Sequence, residues 1–105
     1  MRVYISGPIT GASLKELMAF YDATRRIQET GHEAINPHAM SKWGLTWETY
    51  MQIAMTIIYS GEIDAILMLD GWERSRGACI EKVWADSRGI PVYYENRTNR
   101  EAAQC

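Results

Sequence analysis

Residues 63–94 read IDAILMLDGWERSRGACIEKVWADSRGIPVYY, and the order of elements inside this stretch decides the fold. Residues 63–69 (IDAILML) and 90–94 (IPVYY) are runs rich in aliphatic or aromatic residues, flanked by turn formers, and both read as strands. Between them the pattern predicts a helix from about Gly77 to Ser87, ended by Gly89.

The same alternation extends back toward the first residue. Residues 2–6 (RVYIS) and 33–36 (EAIN) read as strands. From Leu14 to Thr30 the apolar residues Leu14, Leu17, Met18, Tyr21 and Ile27 fall mostly at three- and four-residue spacing and Gly31 follows, which describes an amphipathic helix. A further helix is predicted from about Trp47 to Ser60, with Thr46 as N-cap and Gly61 as stop. The order is β-α-β-α-β-α-β, which argues for an α/β domain whose parallel sheet is covered by helices on both faces. Ligands of such sheets bind outside the carboxyl ends of the strands. Here those ends are residues 6–11, 36–40, 69–75 and 94–96, and the longest interior loop, 38–46, carries Trp43 close to that edge. No repeat, low-complexity segment or interior linker divides the chain. Residues 1–95 read as one domain, and 96–105 as a polar tail in which Arg97 and Arg100 are solvated.

The chain has 105 residues, 47% of them hydrophobic and 23% charged, enough for one buried core. A formal charge of −2 gives no general attraction to a polyanion, so no nucleic-acid polymer is expected as a partner. Four tryptophans and six tyrosines are a heavy aromatic load for so small a domain, so some are expected in a pocket or subunit interface. MRVYISGP lacks the apolar core of a signal peptide, and no segment approaches the ~20 apolar residues of a membrane helix. A soluble, cytoplasmic protein is expected, with Cys79 and Cys105 as free thiols.

Two loops can carry chemistry. Ser6, Gly7, Pro8, Ile9, Thr10 and Gly11 follow the first strand and precede the first helix, so their amides can face an anion; a plain tight turn is the simpler alternative. Ser75, Arg76 and Gly77 stand where the third strand's loop enters the next helix, and offer a hydroxyl, a guanidinium and free amides to a phosphate or ribose. Glu81 follows one turn inside that helix. It can serve as nucleophile at an anomeric carbon, or as a surface carboxylate pairing with Lys82 or Arg88. Tyr4 alternates with Val3 and Ile5; its hydroxyl, if buried, needs a partner, and a carboxylate would serve. Trp43 or Trp47 can stack on a base. His32 and His38 have no Cys or Asp at ligand spacing, so neither a metal nor a cofactor is expected.

Taken together, VYISGPITG, the INP after the second strand, and the 63–94 run resemble the nucleoside 2-deoxyribosyltransferase-like proteins. The likeness is to a short branch, often phage- or prophage-encoded, of unknown domain function and marked by GWxxSRGAxxE. It covers the chain up to about Tyr94. The resemblance implies a flavodoxin-like or Rossmann-like three-layer fold with a mostly parallel sheet of four to five strands. It also implies N-glycosidic chemistry on a deoxynucleoside or deoxynucleotide. Glu81 matches the family's nucleophile and Tyr4 the tyrosine that orients it. Ser75 falls where the nucleotide hydrolases of the superfamily direct a serine to the 5′-phosphate, so a monophosphate is the expected substrate. Ser6 to Gly11, Asn36, Trp72, Ser75, Arg76 and Gly77 are the expected substrate contacts. The resemblance further implies a homo-oligomer whose pockets are completed by a neighbouring subunit.

The chain departs from the pattern at two places. An aspartate that handles protons on the base usually stands about eight residues before the aspartate opening the third strand; counting back from Asp64 gives Thr56. A threonine hydroxyl does not ionise near neutral pH. Pro8 and Thr10 also replace a serine and an arginine of the nucleotide hydrolases. On these grounds a non-catalytic nucleotide-binding protein, a sensor or sequestering protein, is the alternative expectation.

Overall fold

The computed structural model describes residues 1–95, apart from the side chains of Ser41 and Lys42. The tail residues Arg97, Arg100 and Cys105 lie outside the described residues. The chain forms β1 (Arg2–Ser6), α1 (Leu14–Glu29), β2 (Glu33–Ile35), α2 (Trp47–Ile58), β3 (Ala65–Met68), α3 (Arg76–Ser87) and β4 (Val92–Tyr94). The four strands make one all-parallel sheet in the order β2-β1-β3-β4. This is a flavodoxin-like, Rossmann-like three-layer arrangement, with its order reversing at β1 and β3.

The two-residue period of the strands divides the core into two layers. Ile5 and Leu69 pack with Phe20 and Ala23 of α1 on one face of the sheet. Tyr4, Ile66 and Met68 pack with Ala54 and Ile58 of α2 and with Ala78 and Ala85 of α3 on the other. Helix ends follow the local chemistry. Ser13 and Glu16 form a reciprocal capping box at the start of α1, and Thr46 caps α2 by accepting from the Thr49 amide at 3.2 Å.

Several element ends fall one or two residues inside those read from the sequence, and three differences have a local cause. Residues 38–46 are not an open loop: a 3-10 segment, Pro37–Trp43, occupies most of them. It opens on a turn in which Asn36 Oδ1 accepts from the His38 amide at 3.0 Å. The third strand begins at Ala65, because Asp64 uses its carboxylate to accept from the Arg2 amide at 2.7 Å. Helix α3 starts at Arg76, one residue earlier than Gly77, because Ser75 caps it.

Candidate active site

Glu81 lies in the middle of α3, on the buried face that also carries Ala78 and Ala85. These small neighbours leave room for the helix to approach the sheet, so a carboxylate from its second turn can reach β1. On β1 the strand period puts Tyr4 and Ser6 on the same face. The Tyr4 hydroxyl donates to Glu81 Oε2 at 2.5 Å, and the Ser6 hydroxyl donates to Oε1 at 2.7 Å. All three side chains are buried, Glu81 to 2% exposure.

Burial pushes the Glu81 carboxyl up to about 7, while the hydrogen bonds from Tyr4 and Ser6 pull it down. Burial also raises the Tyr4 hydroxyl well above the usual phenol range, and the charge of Glu81 adds to it. Tyr50, on α2, is raised in the same way by burial and then by Glu81, and its hydroxyl interacts with that of Tyr4. Both tyrosines therefore remain protonated donors at neutral pH.

Above this group opens a cleft of about 610 Å³. Gly7, Ile9 and Thr10 from the loop after β1 form one wall, and Arg74 to Ala78, leading into α3, form another. Met40, Leu45, Trp47, Tyr50 and Met51 supply the third, with Glu81 at the floor. The amides of Arg76 and Gly77 lie in the first turn of α3 and have no acceptor within the helix. The Arg76 guanidinium lies 4.7 Å from the centre of the Trp47 ring, a cation–π contact at the rim. Arg74 is held by Glu16 Oε2 at 2.9 Å, which ties the loop before α3 to the start of α1. Two glycines stand at close approaches. A Cβ on Gly7 would meet Leu69 Cβ at 3.0 Å, and one on Gly77 would stand 3.3 Å from Met51 Sδ, across the cleft.

The structure brings most of the expected residues together. Gly7, Ile9, Thr10, Ser75, Arg76, Gly77 and Glu81 line the cleft, with Tyr4 and Ser6 directly beneath Glu81. Four do not line it. Pro8 is buried beside Gly71, and Gly11 sits in an exposed turn at φ 70°. Asn36 spends its carbonyl on the His38 turn. Trp72 is a core residue at 1% exposure, packed on Tyr94 with ring centres 5.8 Å apart. Trp43 is also outside the cleft, 62% exposed, so of the two candidate stacking rings only Trp47 lines it. The surface pairing considered for Glu81 is not formed: Lys82 pairs with Asp86 at 2.9 Å, and Arg88 lies over the Tyr59 ring.

Thr56 stands on the exposed face of α2, its hydroxyl donating to the Gln52 carbonyl at 2.9 Å. Thr56 does not line the cleft of this chain. The sequence reading also missed Tyr50, Met51, Met40, Leu45, Arg74 and Ala78. Trp47, Tyr50 and Met51 share one face of α2 by their three- and four-residue spacing, and that spacing was the available signal. Among the described residues, no group of three or more His, Cys, Asp and Glu side chains could hold a metal ion. No described helix is long and apolar enough to cross a membrane.

A buried carboxylate with two hydroxyl donors, at the floor of a cleft along the carboxyl edge of a parallel sheet, marks a flavodoxin-like α/β domain with a carboxylate-centred candidate site. The chain belongs to the family described as a domain of unknown function, DUF4406, which it matches over residues 1–94. No curated protein and no solved structure matches it.

Proposed function

We propose that this protein cleaves or transfers at the N-glycosidic bond of a deoxynucleoside monophosphate, with Glu81 as nucleophile. The observation that carries the reading is the buried Glu81 carboxylate, with one oxygen held by Tyr4 and the other by Ser6, at the floor of a cleft. Each carboxylate oxygen keeps a lone pair after accepting its hydrogen bond. One oxygen attacks C1′ of the sugar, and the glycosidic electron pair leaves on the base nitrogen. Water, or a second base, then takes the sugar and returns the carboxylate.

The cleft walls suit the remainder of such a substrate. The free first-turn amides of α3 and Arg76 fit a 5′-phosphate, and Trp47 offers a ring face to the base. The likeness of VYISGPITG and GWERSRGACIE to deoxyribosyltransferase-like proteins supports the same chemistry. A reducing, cytoplasmic setting fits Cys79, which forms no disulfide among the described residues. A homo-oligomer belongs to the same reading, supported by Leu14, Met18 and Tyr21, exposed along one stripe of α1.

The test is Glu81→Gln against the four 2′-deoxynucleoside 5′-monophosphates, with released base followed by chromatography and binding by calorimetry. Release is lost and binding persists. Unchanged turnover overturns the assignment of Glu81. Nucleotide binding by the unaltered protein without base release would make it a non-catalytic binding protein on the same fold.

A further inference from the structure

We propose that Tyr50 is the acid that protonates the departing base, an inference that rests on the reading of Glu81 as nucleophile. A purine or pyrimidine anion is a poor leaving group, so cleavage needs a proton delivered to the base as the glycosidic bond breaks. Among the described residues lining the cleft, Tyr50, Arg74, Arg76 and Glu81 are the ionisable ones. Arginine does not lose its proton in proteins, and Arg74 is engaged by Glu16. Glu81 is consumed in the bond to C1′. Tyr50 is left.

Its position fits the task. Trp47 and Tyr50 stand three residues apart on α2 and both line the cleft, so a base stacked on Trp47 lies one helical turn from the Tyr50 side chain. Tyr4 and Ser6 lie beneath Glu81 and do not line the cleft, whereas Tyr50 lies beside it and does.

The step balances. The bond from a Glu81 oxygen to C1′ forms, the C1′–N bond breaks with its electron pair on the base, and the Tyr50 proton goes to that base. In the second half, water attacks C1′ and gives its proton to the Tyr50 oxygen as Glu81 departs as carboxylate. Electrostatics favours this order. Burial and then the negative charge of Glu81 hold the Tyr50 proton on, and ester formation removes the second of these when the proton is needed. The Tyr4 hydroxyl, no longer facing a full carboxylate charge, becomes available to the Tyr50 oxygen.

The experiment compares Tyr50→Phe with the unaltered protein on two kinds of substrate: the four 2′-deoxynucleoside 5′-monophosphates, and 4-nitrophenyl 2-deoxyribofuranoside 5-phosphate, whose leaving group needs no proton. Circular dichroism confirms the fold, and Glu81→Gln is run alongside. Tyr50→Phe should slow base release by about 100-fold to 10,000-fold, and nitrophenolate release by less than about 10-fold. Glu81→Gln should abolish both. Equal slowing of both substrates by Tyr50→Phe, or slowing of neither, overturns the role of Tyr50 while leaving Glu81 in place. Full activity of Glu81→Gln, or no turnover of either substrate by the unaltered protein, overturns the reading on which the inference rests.

Discussion

The hydroxyl of Tyr4 donates to Oε2 of Glu81 at 2.5 Å, joining a strand at the start of the chain to a helix 77 residues later. With Ser6 on the other oxygen, the carboxylate is buried with one hydroxyl donor on each oxygen and no cation in contact among the described residues. Two hydroxyl donors compensate only part of the cost of removing a charge from water, and burial accordingly pushes the carboxyl up to about 7.

That titration makes a stability prediction with a definite sign. Glu81 is raised from the ordinary 4.5 to about 7 in the folded protein, so between these values the folded chain holds a proton that the unfolded chain has released. The contribution of Glu81 to stability is present below pH 4.5 and is lost as pH rises through about 7. At about 1.4 kcal/mol per unit the loss is roughly 3 kcal/mol. Glu81→Gln removes the titration, because a carboxamide does not ionise, while its oxygen and amide can still bond Tyr4 and a rotated Ser6 hydroxyl. Urea unfolding from pH 4 to 8 should show the variant gaining on the unaltered protein as pH rises, with no such trend if Glu81 stays ionised throughout.

Tyr4→Phe takes one donor from the carboxylate. Because that hydrogen bond lowers the Glu81 value, its removal raises it further above about 7. The acid limb of kcat/KM for base release should therefore move to higher pH, and the variant should lose more activity at pH 6.5 than at pH 8.5. Stability at pH 8.5 should fall by about 1.5–3 kcal/mol, the usual worth of a hydrogen bond to a charged group. An acid limb that stays in place would show that Tyr4 does not tune Glu81.

Arg76→Ala separates phosphate recognition from base recognition. The guanidinium is exposed at the rim over Trp47, and the neighbouring Ser75 cap does not depend on it. Calorimetry should show affinity for a deoxynucleoside monophosphate falling by about 10-fold to 100-fold, with affinity for the matching deoxynucleoside little changed. An equal loss for both ligands would place the phosphate elsewhere.

The strands and helices were legible because each leaves a local mark. Thr46, Gly31, Gly61 and Gly89 stand at helix boundaries, and the apolar runs stand at the strands. The pairing of Glu81 with Tyr4 was anticipated from the need of a buried hydroxyl for a partner, together with the family resemblance. What local pattern could not supply was the face of α2. Thr56 and Tyr50 are both polar residues of one amphipathic helix, and which of them meets the cleft depends on how α2 packs against α3. Trp72 misled for a related reason: it sits in the signature loop, yet a 3-10 turn at residues 72–74 rotates its ring into the core. Ser6 was read as a backbone contributor to the loop, although the strand period that placed Tyr4 also placed its hydroxyl against Glu81.

Gly77→Ala tests the wall shared by α2 and α3. Glycine is the weaker helix former, so alanine in the first turn of α3 should leave stability unchanged or raise it by up to about 1 kcal/mol. The added methyl, however, would sit 3.3 Å from Met51 Sδ and 3.6 Å from Trp47 Nε1, both lining residues of the cleft. Met51 can give way by a few tenths of an ångström, which reshapes the cleft wall it forms. Affinity for a deoxynucleoside monophosphate should drop by about 10-fold, the cost of roughly 1.4 kcal/mol, without a fall in the urea midpoint. Retained affinity together with retained stability would show that the ligand lies against the Gly7–Thr10 wall instead, because the methyl then occupies room the ligand does not need.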